Sequence, residues 1–233
     1  MHSRSRWWFA PSALLALLAG CGPLPEGDGG SLRVLLDDPG DPGTITLSAP
    51  PGTDRAPLDW SHWGRARSTD WNHKDLPSPL IANFTRTGTL ERTAGLSNRF
   101  CWVEGSPVAT ASGVPAGVSL RAAGSHFELQ VKAAPTARRL ILFLGVTRAR
   151  GKLTARLSDA AAPPPAPVTL TSDTGSTESV ATVEFSSPTA GATVAVRWAL
   201  DSEPAAAGGS RLTLAAAVLE EVSRSAADGG PRD

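Results

Sequence analysis

Tyrosine is missing from this chain of 233 residues, methionine occurs once and cysteine twice. Two cysteines cannot build the disulfide framework that holds small secreted domains together. There is no excess of one charge either. The 22 basic residues are matched by 22 acidic ones, and no basic patch stands out that would draw nucleic acid. No apolar run reaches the ~20 residues that a membrane-crossing helix requires. G-x-S-x-G, a phosphate-binding glycine loop and H-E-x-x-H are all lacking, so the chain carries no sequence signature of a common catalytic class. The missing tyrosine, with arginine well ahead of lysine and alanine abundant, reads as the codon bias of a GC-rich genome and says nothing of function.

What is there begins at the amino terminus. Arg4 and Arg6 precede Trp7-Trp8-Phe9-Ala10 and, beyond Pro11, Leu14-Leu15-Ala16-Leu17-Leu18-Ala19-Gly20-Cys21. A basic start, a short apolar run and a small-residue site predict a cleaved export signal over residues 1–20. Leu18-Ala19-Gly20-Cys21 resembles the lipobox of bacterial lipoproteins. That resemblance implies lipidation of Cys21, with diacylglycerol on the sulfur and a further acyl chain, palmitate, on the new amino terminus. Each buried methylene contributes about 0.8 kcal/mol, so several chains would fix the protein to a membrane while its body stays in water. Gly22 stands where an aspartate would, by the same resemblance, hold a lipoprotein at the inner membrane. The outer membrane or cell surface of the bacterial envelope is therefore the expected location.

If Cys21 carries lipid, Cys101 has no partner in the chain. The rival is a Cys21–Cys101 disulfide in an unlipidated protein. Removing the leader takes away Arg4 and Arg6 and leaves the acids slightly ahead.

Residues 21–31 are rich in Gly, Pro, Asp and Glu and read as a flexible tether, and residues 223–233 read as a disordered tail. Between them, over 32–222, the dominant period is two. Phe127, Leu129 and Val131 alternate with polar neighbours, as do Leu153, Ala155 and Leu157, then Ala181, Val183 and Phe185, then Val194, Val196, Trp198 and Leu200. Leu212, Leu214, Ala216 and Val218 read as one more row. Such strands bury one face and wet the other. Leu140-Ile141-Leu142-Phe143-Leu144 is apolar on both sides, as in a strand covered on two faces or central in a sheet, and 138–158 reads as a hairpin turning at the glycines.

Further strands are predicted at 32–36, 44–48, 57–63, 88–93, 99–104 and 117–122, between Pro and Gly clusters. No amphipathic segment of helical length competes. The expected fold is all-β, an antiparallel β-sandwich of the jelly-roll kind in a single domain. The Pro-rich segment 160–167 is a loop within it, since the few strands that follow could not bury a core alone.

Leu58-Asp59-Trp60-Ser61-His62-Trp63-Gly64, Ile81-Ala82-Asn83-Phe84-Thr85, Phe100-Cys101-Trp102 and Arg139 to Gly145 with Gly151 to Asp159 together resemble a β-sandwich module of secreted bacterial proteins. The likeness is to galactose-binding-like and carbohydrate-binding modules, over about residues 43 to 219. It implies a fold, and a glycan as the class of ligand. Such modules usually sit beside enzymes or adhesins in long chains, whereas here the module stands alone behind a tether.

The residues best suited to that chemistry are Asp59, Trp60, His62 and Trp63, with Trp71 and His73 following. An exposed indole is a flat apolar platform for the C–H face of a sugar, and neighbouring Asp, Asn or His groups bond its hydroxyls. In an extended segment Trp60 and His62 share one face and Asp59 and Trp63 the other. The competing reading makes these tryptophans core residues, as Trp102 and Trp198 are expected to be.

No metal site and no cofactor are expected. His62, His73, Asp59, Asp70 and Asp75 lack a short paired ligand motif, and Asp37, Asp38 and Asp41 lack the spacing of a calcium loop. Glu91, Glu104, Glu128 and Asp59 offer carboxylates but no pairing that marks a glycosidase. Cys101 is expected to pack as a small hydrophobe between Phe100 and Trp102. Asn83-Phe84-Thr85 matches a glycosylation sequon that a bacterial lipoprotein would not ordinarily use.

The reading that follows is a membrane-tethered, non-enzymatic binding module for a carbohydrate or other envelope ligand. The alternative is a structural component of the envelope that pairs with a protein partner through strand edges or the wet sheet face. The partners expected are the membrane through Cys21, and a glycan or an envelope protein, with no nucleic acid.

Overall fold

The structure, a computed structural model, describes residues 29–37, 43–49, 56–203 and 209–222. Cys21, the leader, most of the tether and the tail lie outside these, so their assignments rest on sequence alone. The described residues form fifteen strands and no helix. The first seven are β1 (Ser31–Asp37), β2 (Thr44–Thr46), β3 (Asp59–Trp63), β4 (Trp71–Lys74), β5 (Thr85–Thr87), β6 (Leu90–Ala94) and β7 (Arg99–Trp102). Then come β8 (Gly105–Ser106), β9 (Ala111–Val114), β10 (Ala116–Leu120) and β11 (His126–Lys132). The last four are the longest: β12 (Arg138–Leu157), β13 (Val168–Ser186), β14 (Thr193–Ser202) and β15 (Arg211–Glu221).

The fold is all-β, and the pairing is antiparallel everywhere except between β2 and β7. Twelve strands form one curled sheet, whose main path runs β5-β11-β14-β12-β15-β3-β4-β8. β1 adds to β13, and β6 to β10, on its branches. The curl buries one continuous core, in which Leu129, Val131, Leu140, Leu142, Val183, Phe185, Val194, Val196 and Trp198 meet. A second, smaller core lies between the outer face of the large sheet and the three-stranded sheet β2-β7-β9, and holds Leu47, Trp60, Phe100, Trp102, Ala215, Ala216 and Val218.

The strand that reads as apolar on both sides is the centre of this arrangement. Leu140, Leu142 and Leu144 face the main core, while Ile141 and Phe143 pack against the second. It does not turn back as a hairpin. β12 continues for 20 residues and absorbs the glycine-containing stretch as two register shifts, between Thr147 and Ala149 and between Arg150 and Gly151. The shifts let one edge of β12 hand over from β15 to β14. Trp198 closes that corner, donating from Nε1 to the Thr213 carbonyl at 3.1 Å. A Cβ on Gly151 would come within 2.1 Å of its ring, so only glycine lets the indole lie against the backbone there.

The supposed single row on β15 is likewise divided. Ala215 is an extra residue opposite the Phe143/Leu144 step, a bulge that reverses the alternation. Leu212 and Leu214 therefore face the main core, and Ala216 and Val218 the second. The bulge also ends the pairing of β15 with β10 at Leu214 and lets β3 take over from Ala216. The Pro-rich segment joins β12 to β13, with Ala162 buried in the main core.

Candidate ligand-binding site

β3 carries Asp59, Trp60, Ser61, His62 and Trp63, and all five side chains are buried. Its two edges are occupied by β15 and β4, its inner face by the main core and its outer face by the small sheet. The division of faces is the one alternation predicts, with Trp63 in the main core and Trp60 in the second. Direct contact of these residues with a ligand is not what the structure offers. Asp59, Trp60 and His62 have no exposed surface and Trp63 has 1%. The platform is covered because a second layer lies over it, which the alternation of one strand cannot reveal.

Each of the four has work inside. The carboxylate of Asp59 accepts the backbone N–H of Trp60 at 2.7 Å, of Leu80 at 2.7 Å and of Ile81 at 2.9 Å. It thereby pins the 76–84 segment to β3. Burial pushes its pKa up, against the pull of those three N–H groups. Trp63 donates from Nε1 to Asn83 Oδ1 at 2.9 Å, a second tie to the same segment.

His62 stands where β10 leaves β15. Its Nε2 lies 3.0 Å from the Ala116 carbonyl, beyond the point where the β10–β15 pairing ends at Val118. Burial pushes its pKa down to about 4, and nearby Arg65 and Arg92 act in the same direction. The ring is therefore neutral at pH 7, its proton on Nε2 to bond that carbonyl. The rings of Trp60 and His62 both lie against Trp102, with centroids 5.6 and 4.9 Å apart. Trp60 Nε1, His62 Nδ1 and Asn72 Oδ1 are buried without a hydrogen-bond partner.

The surface of this region is made by the next strand. Trp71 lies opposite Trp63, and His73 opposite Ser61 on one side and Ser106 on the other. Trp71 is the one described tryptophan that is not buried. Its Nε1 donates to Ser61 Oγ at 3.1 Å, and its ring lies against that of His73 with centroids 4.3 Å apart, tilted by 35°. His73 Nδ1 bonds the Lys74 carbonyl at 2.8 Å, which directs the other ring nitrogen away from the backbone. β8, the edge strand beside β4, has only two residues, so little covers the pair from that side. Asn83 is exposed, and its Oδ1 accepts from Trp63 Nε1 and from the Phe84 N–H, both at 2.9 Å.

The remaining sequence candidates do not converge. Among the described residues, no group of three His, Cys, Asp or Glu side chains is placed to hold a metal ion. Asp38 and Asp41 lie outside the described residues. Glu91 is tied to Arg121 at 2.8 Å, and Glu128 accepts from Gln130 at 3.3 Å, on strands apart from Asp59. Cys101 is not the packed hydrophobe expected between its neighbours. Phe100 and Trp102 point into the second core, so Cys101 points the other way, half-exposed, and its Sγ accepts the Gly113 N–H at 3.2 Å. One open depression of about 250 Å³ lies at the register shifts of β12, lined by Ala149, Arg150, Thr171, Asp173, Ser202 and Glu203.

No family model matches the chain, and no curated protein matches it in sequence. Among solved structures, it is similar to a carbohydrate-binding module, TmCBM61, determined in complex with beta-1,4-galactotriose. The identity is 12%, with 60% of this chain and 88% of that one covered, at a TM-score of 0.37. It is also similar to the enzymatically active domain of tailspike protein 4 of bacteriophage CBA120, with 10% identity, 61% of this chain and 19% of that one covered, and a TM-score of 0.36. Likeness at this level carries nothing about the chemistry of the site.

Proposed function

We propose that the mature protein is a non-enzymatic binding module, tethered to the bacterial envelope through lipid on Cys21, that takes a carbohydrate or other envelope ligand on the Trp71–His73 pair. The observation that carries this reading is the exposure of that pair. Of the described tryptophans, Trp71 alone is not fully buried: it packs against the main core as a partly buried residue, and its orientation is fixed by the Ser61 hydroxyl and the His73 ring. A preset indole of this kind suits the C–H face of a sugar, with little conformational entropy left to lose on binding. His73 and, opposite it, Ser106 supply hydroxyl partners beside it. Asp59, Trp60, His62 and Trp63 then serve as the buried frame beneath the platform and do not touch the ligand.

Binding of a panel of polysaccharides to the purified protein, measured by calorimetry, tests the proposal. The Trp71→Ala and His73→Ala variants should lose at least tenfold in affinity for whichever glycan binds, about 1.4 kcal/mol, while both still unfold in a single cooperative transition above the temperature of the binding assay. Unchanged affinity in both variants would remove this pair from the site. Mass spectrometry of the envelope-extracted protein tests the anchor, which requires a chain that starts at Cys21 and carries acyl mass.

A further inference from the structure

The large sheet ends on one side in β1, and the outer edge of β1 has no partner among the described residues. At seven residues it is longer than the edge strands β2, β5, β6, β8 and β9, which have two to five, and among the described residues the other open edge of greater length is the Val168–Ser179 half of β13, which pairs with β12 alone. An edge strand presents a row of unpaired N–H and C=O groups to any extended chain that fits. Proteins commonly blunt such edges with proline, a bulge or short length, and β1 has none of these.

Its sequence, Ser31-Leu32-Arg33-Val34-Leu35-Leu36-Asp37, is complementary to itself. When two copies run antiparallel about a two-fold axis through Leu35, Arg33 of each faces Asp37 of the other and Leu35 faces Leu35. Val34 faces Leu36 in the same arrangement. Opposed residues in an antiparallel pair share a sheet face. The odd-numbered residues therefore meet on the outer face, and Leu32, Val34 and Leu36 stay on the side of the main core. Leu35 is 38% exposed, and it and Val103 are the two exposed large apolar side chains of the described residues.

The charges continue an existing pattern. Arg139 on β12 and Arg33 on β1 both bond Glu184 of β13, at 2.9 and 3.0 Å, and the three stand opposite one another in register. A facing Asp37 extends that alternating row by one acid. We infer that β1 is a homodimerisation edge, and that two copies of this chain join their large sheets through an antiparallel β1–β1 pair centred on Leu35. The inference is independent of the ligand proposal, although a dimer would present two Trp71–His73 pairs to a polymeric glycan.

Sedimentation of the full-length chain in a mild detergent, over micromolar to submillimolar concentration, tests it. The parent should show a monomer–dimer equilibrium. Leu35→Lys and Leu35→Glu each set like charges on the axis and should weaken the dimer about tenfold or more. An equal mixture of the two variants should dimerise again, because lysine then faces glutamate. Leu35 is exposed, so unaltered tryptophan emission from either variant would exclude misfolding as the cause. A parent that stays monomeric throughout, or a dimer that Leu35→Lys leaves intact, overturns the assignment.

Discussion

Two adjacent, paired strands carry the same tripeptide pattern, Trp60-Ser61-His62 on β3 and Trp71-Asn72-His73 on β4, with opposite outcomes. The first Trp and His are sealed, and the second pair is half-exposed. Intrinsic propensity cannot separate them, since the residue types and the strand geometry are the same. What differs is the cover. β3 lies between β15 and β4 and under the small sheet, whereas β4 is bordered by the two residues of β8 and sets Trp71, opposite Trp63, against the main core as a partly buried residue. The same chemistry thus becomes a core in one strand and a surface in the next, decided by segments far away in sequence.

The sharpest way to separate the strands is to truncate each tryptophan. Trp60→Ala should destabilise the protein by about 3–5 kcal/mol, because the cavity is walled by Trp102 and by the rigid alanines of β15 and cannot collapse. Trp71→Ala should cost less than half of that, since part of its surface already faces water. Urea unfolding reads both. Equal losses would mean that Trp71 is as much a core residue as Trp60.

The histidines separate the strands by pH. His62 has a folded pKa of about 4, depressed by burial, against roughly 6.5 when unfolded. Between these values the unfolded chain binds the proton and the folded one does not. Stability from this group is thus full above about pH 6.5 and is lost as pH falls toward 4, by about 3 kcal/mol in all at 1.4 kcal/mol per pH unit. Asp59 has the opposite sign. Its raised pKa makes the folded state take its proton first, so falling pH favours folding through that group. His62→Gln keeps a donor for the Ala116 carbonyl and removes the titration, so its stability should hold or rise slightly from pH 6.5 to 4 where the parent's falls. Denaturation at four pH values across that window gives the slopes, and identical slopes would show that His62 is not buried neutral.

Breaking the clamp under the site has a smaller effect. Asp59→Asn keeps one acceptor oxygen where the carboxylate serves three N–H groups through two, and should cost about 1–3 kcal/mol while loosening residues 76–84. Hydrogen exchange of the Leu80 and Ile81 amides reads that loosening directly.

These contrasts mark what the sequence makes legible. Rows with one wet face, such as Phe127-Leu129-Val131 on β11 and Val194-Val196-Trp198 on β14, can be read because each polar neighbour reports water. The doubly apolar centre of β12 can be read for the complementary reason. The first half of β13, Thr169 to Ser176, has the composition of a loop, and becomes strand only because the extended end of β12 supplies its ladder. The bulge at Ala215 lies in a run of alanines with no local mark, so the change of phase on β15 is silent. The burial of Asp59 to Trp63 depends on β2, β7 and β9, strands of three or four residues that leave almost no periodicity to find. The cluster is therefore visible in the sequence, while its exposed member is not.

The mildest perturbation addresses that last point without changing the fold. Trp60, Trp63, Trp71, Trp102 and Trp198 are the tryptophans beyond residue 20, and all but Trp71 are at most 3% exposed. Acrylamide should therefore quench one fraction of the emission, red-shifted relative to the rest, and Trp71→Phe should abolish that fraction. A glycan bound on the Trp71–His73 pair would shield the same fraction in the parent, because the quencher and the sugar compete for one ring face. Quenching that survives Trp71→Phe would place the accessible indole on another strand, and the contrast between β3 and β4 would fail. Quenching that Trp71→Phe removes but no envelope polysaccharide reduces would leave the contrast standing and withdraw the ligand.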